Sequence, residues 1–151
     1  MVDIDLLKKL RNETGVSLAD CRKSLEEANN DYKKALEWLK KNGLEKAAKK
    51  SDRETSQGLI ESYIHNGGRV GSIIEILCET DFVARTDEFK NLSHEVAMQV
   101  AAMNPKDVPA LLKQEYIKDP SKTIENLIKE AIAKLGENII VKNLQRFEIG
   151  E

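Results

Sequence analysis

The chain has 151 residues, 40% of them hydrophobic and 33% charged, with a formal net charge of -2. That length suits one ordinary domain, or a small domain beside a medium one, each with a polar surface. The near balance of charge excludes a global pull onto nucleic acid, and no apolar run reaches the length of a membrane span.

The charge is nevertheless uneven. Residues 1–57 carry 13 basic and 11 acidic groups, and the rest of the chain 11 and 15. Lys40, Lys41, Lys46, Lys49 and Lys50 supply the excess base and mark an expected boundary near residue 50. The opening Met1-Val2-Asp3-Ile4-Asp5 lacks the basic-then-apolar layout of a signal peptide. The expected location is therefore cytoplasmic, with Cys21 and Cys78 as free thiols.

Ile4, Leu7 and Leu10 repeat at helical spacing, and Thr14-Gly15 ends that helix. Ser17-Leu18-Ala19-Asp20 reads as a capping box with Asp in place of Glu, opening a second helix that buries Cys21, Leu25 and Ala28. Asp31 caps a third helix bearing Tyr32, Ala35, Leu36 and Leu39, which Asn42-Gly43 is expected to close. Residues 1–43 thus form a three-helix bundle whose shape resembles the ubiquitin-associated type. Residues 44–57 are expected to be a solvated basic linker, first helical and then looser.

From residue 58 the pattern changes to α+β. Leu59–His65 and Arg69–Glu79 are rich in strand formers, and Asn66-Gly67-Gly68 between them suits a tight hairpin turn. Gly67-Gly68-Arg69-Val70-Gly71 lacks the spacing and the trailing Lys-Ser/Thr of a phosphate loop. Phe89, Leu92, Val96, Val100 and Met103 lie on one face of the longest helix, with Ala97 and Ala101 beside them for close packing. Asn104-Pro105 stops it, Pro109 is expected to prevent a quick restart, and residues 105–120 carry no clear pattern. Ser121 or Thr123 caps a further helix ended by Gly136, and Ile139–Val141 with Leu144–Ile149 closes the chain as a third strand on the hairpin. The fold class expected is α+β, with helices packed on an antiparallel sheet over residues 58–151.

No Ser-His-Asp, Cys-His or metal-ligand spacing can be assembled, since His65 and His94 stand alone. The sequence points to a protein that works through surfaces, with no cofactor and no metal. The stretch of most interest joins the second strand to the longest helix: Cys78-Glu79-Thr80-Asp81-Phe82-Val83-Ala84-Arg85. Phe82, packed inward, would plug the core; turned outward, it would be an aromatic anchor for another protein. Spacing alone leaves both open.

That octet resembles the core-domain motif of bacterial elongation factor Ts. Leu10-Arg11-Asn12-Glu13-Thr14-Gly15 with Asp20-Cys21-Arg22-Lys23 is similar to the family's N-terminal signature, and Lys46-Ala47-Ala48-Lys49-Lys50 to its linker. Tyr63-Ile64-His65, Gly136-Glu137-Asn138-Ile139 and Arg146-Phe147-Glu148-Ile149-Gly150-Glu151 extend the likeness to the C-terminus, in the short form with a single core domain. The resemblance implies a guanine-nucleotide exchange factor for elongation factor Tu, acting without covalent chemistry. It implies that Thr80, Asp81, Phe82, Val83 and Ala84 form a tip that works beside the Mg²⁺ side of the partner's GTPase pocket, so that Phe82 points outward. It implies a second contact at Thr14, Gly15, Val16, Leu18 and Ala19, where Ala19 is a smaller anchor than the family's frequent bulky pair. Short forms also pair through the C-terminal sheet, here built from Ile139 to Ile149, and carry a longer helical segment where Pro109 and Leu111-Leu112 nearly adjoin. Two readings of other classes stand beside this one: a peptide-binding helical module, and a ribosome- or RNA-associated protein using the lysine-rich linker, whose binding would fall steeply with salt.

Overall fold

A computed structural model describes all 151 residues. Helix α1 (Ile4–Thr14) starts at Asp3, whose carboxylate accepts from the Asp5 and Leu6 N–H groups, and ends at Gly15 in the left-handed conformation. Helices α2 (Leu18–Glu27) and α3 (Tyr32–Lys49) are capped by Ser17 and Asp31, each taking the N–H three residues on. Leu7, Leu10, Cys21, Leu25, Ala28, Ala35 and Leu39 meet in a small core of seven buried residues.

Two expectations about this half are corrected. Asn42-Gly43 does not close the third helix: α3 runs unbroken to Lys49, so the residues expected to be a solvated linker helix are its last turns. Its far end has something to bury, since Ala47 belongs to the larger core of the second half. A Cβ placed on Gly43 would meet the Ala133 methyl at 3.5 Å, an ordinary contact, so that glycine is a point of close helix approach rather than a stop. The Asp20 carboxylate does not return to the cap as a capping box requires. It accepts from Lys46 Nζ on α3, which ties α2 to the same helix that reaches the second core.

The second half is built on an antiparallel sheet ordered β1-β2-β5, from β1 (Gln57–Ile64), β2 (Val70–Cys78) and β5 (Ile140–Glu148). The fold is α+β as expected. Gly67 and Gly68, both at positive φ, turn the β1–β2 hairpin. The last strand is one element with a bulge opposite Glu75–Ile76, not two pieces. Ser72, Ile74, Ile76 and Cys78 of β2 are buried on one face, beneath α5 (Asp87–Met103). Phe89, Leu92, Val96, Ala97 and Val100 of α5 pack there, and the Ser72 hydroxyl donates to the Ala97 carbonyl. Met103 lies at the exposed end of the helix instead of in its buried stripe.

Residues 105–120, patternless in sequence, form a compact plug. Helix α6 (Val108–Lys113) begins at Asp107 and holds Pro109 in its first turn. A proline needs no N–H partner there, so it does not prevent a restart. The two-stranded ribbon of β3 (Glu115–Tyr116) and β4 (Asp119–Thr123) is pinned to α5. The buried Gln99 amide donates to Gln114 Oε1 and the Glu115 carbonyl and accepts from the Ile117 N–H, while Tyr116 and Lys118 both donate to Glu95. Thr123 then caps α7 (Ile124–Leu135), which packs against α3 and α5.

Candidate functional site

Strand β2 delivers Cys78 into the core and the chain turns at once into a single-turn helix, α4 (Asp81–Ala84). The Cys78 thiol donates to the Thr80 carbonyl at 3.1 Å. Burial, with the Glu137 carboxylate adding to it, pushes that thiol above its usual range, so it acts as a packing group rather than a nucleophile. The Thr80 hydroxyl accepts from the Val83 N–H at 3.2 Å and thereby caps α4. Val83 and Ala84 are buried in the larger core. Asp81 and Phe82 lie between cap and anchor, on the outside, and Phe82 is 79% exposed. It is not a core plug. The Asp81 carboxylate accepts from Arg85, in an ion pair so exposed that it costs little to separate.

A carboxylate from far along the chain holds the base of this turn. Glu137 Oε1 accepts from the N–H groups of Glu79 and Thr80, at 3.1 and 3.0 Å, and Oε2 accepts from the Thr80 hydroxyl at 2.7 Å. Reciprocally, the Asn138 N–H donates to Glu79 Oε2 at 2.6 Å, and its side-chain amide donates to the Arg53 carbonyl at 2.9 Å. The Arg53 guanidinium stands 3.6 Å from Glu79 Oε2. Three segments, residues 51–53, 79–80 and 137–138, thus meet beneath the tip.

The N-terminal candidates are held by local bonds. Thr14 Oγ1 donates to the Leu10 carbonyl and accepts from the Val16 N–H, and the Cys21 thiol donates to the Val16 carbonyl. Val16 packs partly against the small core, whereas Leu18, 50% exposed, and Ala19 face outward from the first turn of α2. A Cβ at Gly15 would come within 3.1 Å of the Lys134 side chain, on the last turn of α7. The C-terminal end of α7 therefore borders both candidate regions. Between the halves lies an open cleft of about 730 Å³ whose wall mixes acids and bases, many paired with one another, as in Asp20–Lys46 and Lys122–Glu130. No set of three or more His, Cys, Asp or Glu is arranged to hold a metal, and no helix is long and apolar enough to cross a membrane.

A family profile described as "Elongation factor TS" matches residues 79–151, and one described as "Elongation factor Ts, mitochondrial, N-terminal" matches residues 2–49. An elongation factor Ts of Thermoanaerobacter sp. (strain X514) is 42% identical over 196 aligned residues, covering all of this chain and 96% of that relative. One of Thermotoga maritima is 43% identical over 193, covering 99% and 97%. The chain belongs to the elongation factor Ts family. It is thus of the translation elongation factor class, which works in protein biosynthesis. The alignments run well beyond 151 positions, so these elongation factor Ts relatives carry a segment that this chain lacks. Within this family member, the N-terminal match spans α1 to α3, and the C-terminal match begins at Glu79, the base of the tip.

Sequence reasoning named the tip and the α1–α2 loop but not the groups that hold them. Glu137 and Asn138 entered only as part of a family-like string, and Arg53 and Lys134 had no assigned place. The one signal available was Gly136, whose left-handed turn (φ 78°) after α7 aims the next two residues back at the strand end.

Proposed function

We propose that the chain is a guanine-nucleotide exchange factor that binds elongation factor Tu and promotes GDP release by pressing the Asp81-Phe82 tip against the Mg²⁺ and phosphate side of its GTPase pocket. The exposure of Phe82 on a turn anchored by buried Val83 and Ala84 carries this reading. An aromatic group presented on a rigid base enters a partner's pocket without a large ordering cost. GDP held by metal and phosphate contacts leaves slowly because several charged contacts must break together. A wedge that disturbs one side weakens the rest, and by linkage bound nucleotide weakens the wedge by the same factor. Each 1.4 kcal/mol of such coupling is about tenfold in affinity.

In the same reading the three-helix unit, similar in shape to the ubiquitin-associated type, docks on the GTPase domain through Leu18 and Ala19, and Thr14, Gly15 and Val16 shape that loop. Stopped-flow release of fluorescent GDP from elongation factor Tu, with and without the chain, tests the proposal. A rate that climbs with added chain supports it, and an unchanged rate refutes it.

The open face of the main sheet favours a second copy as a further partner. Ile60, Ile64, Ile73 and Phe147 are all exposed there, facing away from α5. Apolar groups clustered on one sheet face suit an isologous pairing. Sedimentation at high micromolar concentration should show a dimer, and a monomer there rules the pairing out.

A further inference from the structure

We infer that Glu137 is a positioning residue for the tip, its carboxylate setting the direction in which Asp81 and Phe82 leave the core. The inference rests on the reading of Phe82 as the group that contacts the partner. A four-residue helix closes too few internal hydrogen bonds to fix its own orientation. Its direction has to come from what holds its first residues. Val83 and Ala84 fix the distal side by burial, which leaves the proximal side, Glu79 and Thr80, to be fixed by hydrogen bonds.

Glu137 holds both backbone N–H groups there and the Thr80 hydroxyl: it accepts the two consecutive N–H groups on one oxygen and the hydroxyl on the other, while the Asn138 N–H holds the Glu79 side chain. Bonds to an ionised acceptor are shorter and stronger than neutral ones. The Thr80 hydroxyl donates its one proton to Glu137 while its oxygen accepts from the Val83 N–H, so the residue that caps α4 is itself tied to Glu137. Glu137 forms no salt bridge, and both of its carboxylate oxygens are engaged by the base of the tip. Its own position is fixed by its neighbour: Asn138 is buried and bonded to Glu79 and to the chain leaving α3.

A double-mutant cycle separates positioning from mere support. Affinity for nucleotide-free elongation factor Tu is measured for the parent, Glu137→Ala, Phe82→Ala and the double variant. Loss of charged-acceptor hydrogen bonds predicts roughly tenfold weaker binding for Glu137→Ala in the parent background. In the Phe82→Ala background the same change should cost less than about twofold, because there is no longer an anchor to aim. Glu137→Gln, which keeps one acceptor oxygen, should recover part of the loss. Equal losses in both backgrounds would overturn the inference, as would no loss in the parent. A silent Phe82→Ala would instead remove the reading of the tip itself, and the inference with it. Should Glu137→Ala not fold, Glu137→Gln takes its place in the cycle. Amide hydrogen exchange of the free chain is a second check: Glu79 and Thr80 should lose protection in Glu137→Ala, and unchanged protection there would contradict the clamp.

Discussion

The two candidate contact regions are built on one local plan and held by different means. In each, a hydroxyl caps a helix and the first turn turns an apolar side chain outward: Ser17 before Leu18, and Thr80 before Phe82. Apart from the Asp20–Lys46 pair at the start of α2, the α1–α2 loop is secured by bonds among residues 10–21, and it rests on a core of seven buried side chains. The tip is secured by residues 57 to 59 positions away in sequence, over a core of eighteen. A surface tied by distant groups to a large core is pre-organised, because its orientation survives local fluctuation. A surface tied by near neighbours to a small core adjusts on contact at lower cost. The first suits a wedge and the second a docking pad.

Breaking the larger core should therefore undo the tip without touching the pad. Phe89→Ala removes a fully buried ring below α4 and should cost about 3–5 kcal/mol of folding stability in the second half, read as a lowered denaturant midpoint. Circular dichroism of residues 1–50 alone should still report helix, and loss of that signal would deny the bundle independence. On the pad itself, Leu18→Ala should weaken binding to elongation factor Tu by about 1–2 kcal/mol, as for an anchor near the rim, and leave melting unchanged because Leu18 is half exposed. An equal loss from Leu18→Ala and Phe82→Ala would erase the distinction between wedge and pad.

Two smaller effects probe how α3 joins the halves. The hydrogen bond from Lys46 holds the Asp20 carboxyl below the usual aspartate range, against a smaller opposing effect of burial. A carboxyl depressed in the folded state adds stability above its unfolded value, and that contribution fades as pH falls through the folded one. The gap in melting temperature between the parent and Asp20→Asn should thus be present near neutral pH and close below the ordinary aspartate range. Gly43→Ala should stabilise the chain by about 0.5–1 kcal/mol in thermal unfolding, because helix propensity rises and the new methyl meets Ala133 at ordinary contact distance.

Periodicity and caps made most of the fold legible: the Leu7/Leu10 and Phe89–Val100 stripes, the Asn66-Gly67-Gly68 hairpin and the Thr123 cap all stand where the pattern put them. Gly43 misled because propensity weighs a glycine by its backbone alone, while the burial of Ala47 that accompanies the continuation of α3 depends on residues far along the chain. Pro109 misled because a proline breaks a helix only past its first turn. Residues 105–120 were opaque because only Leu111 and Tyr116 of them are buried in the apolar core, while polar contacts to Gln99 and Glu95 hold the ribbon, and neither leaves a period. In the site, the octet 78–85 was visible as a string with two open orientations for Phe82. The choice between them and the Glu137 clamp depend on which residues meet across the fold.

The measurement that bears most directly on the wedge is Phe82→Ala read in two assays on one preparation. The side chain is exposed, so melting should stay within about 0.5 kcal/mol of the parent. Stimulated GDP release from elongation factor Tu should fall by roughly thirtyfold to nearly a thousandfold, as for loss of a central aromatic anchor worth about 2–4 kcal/mol. A variant that melts far below the parent yet releases GDP at the parental rate would contradict the account.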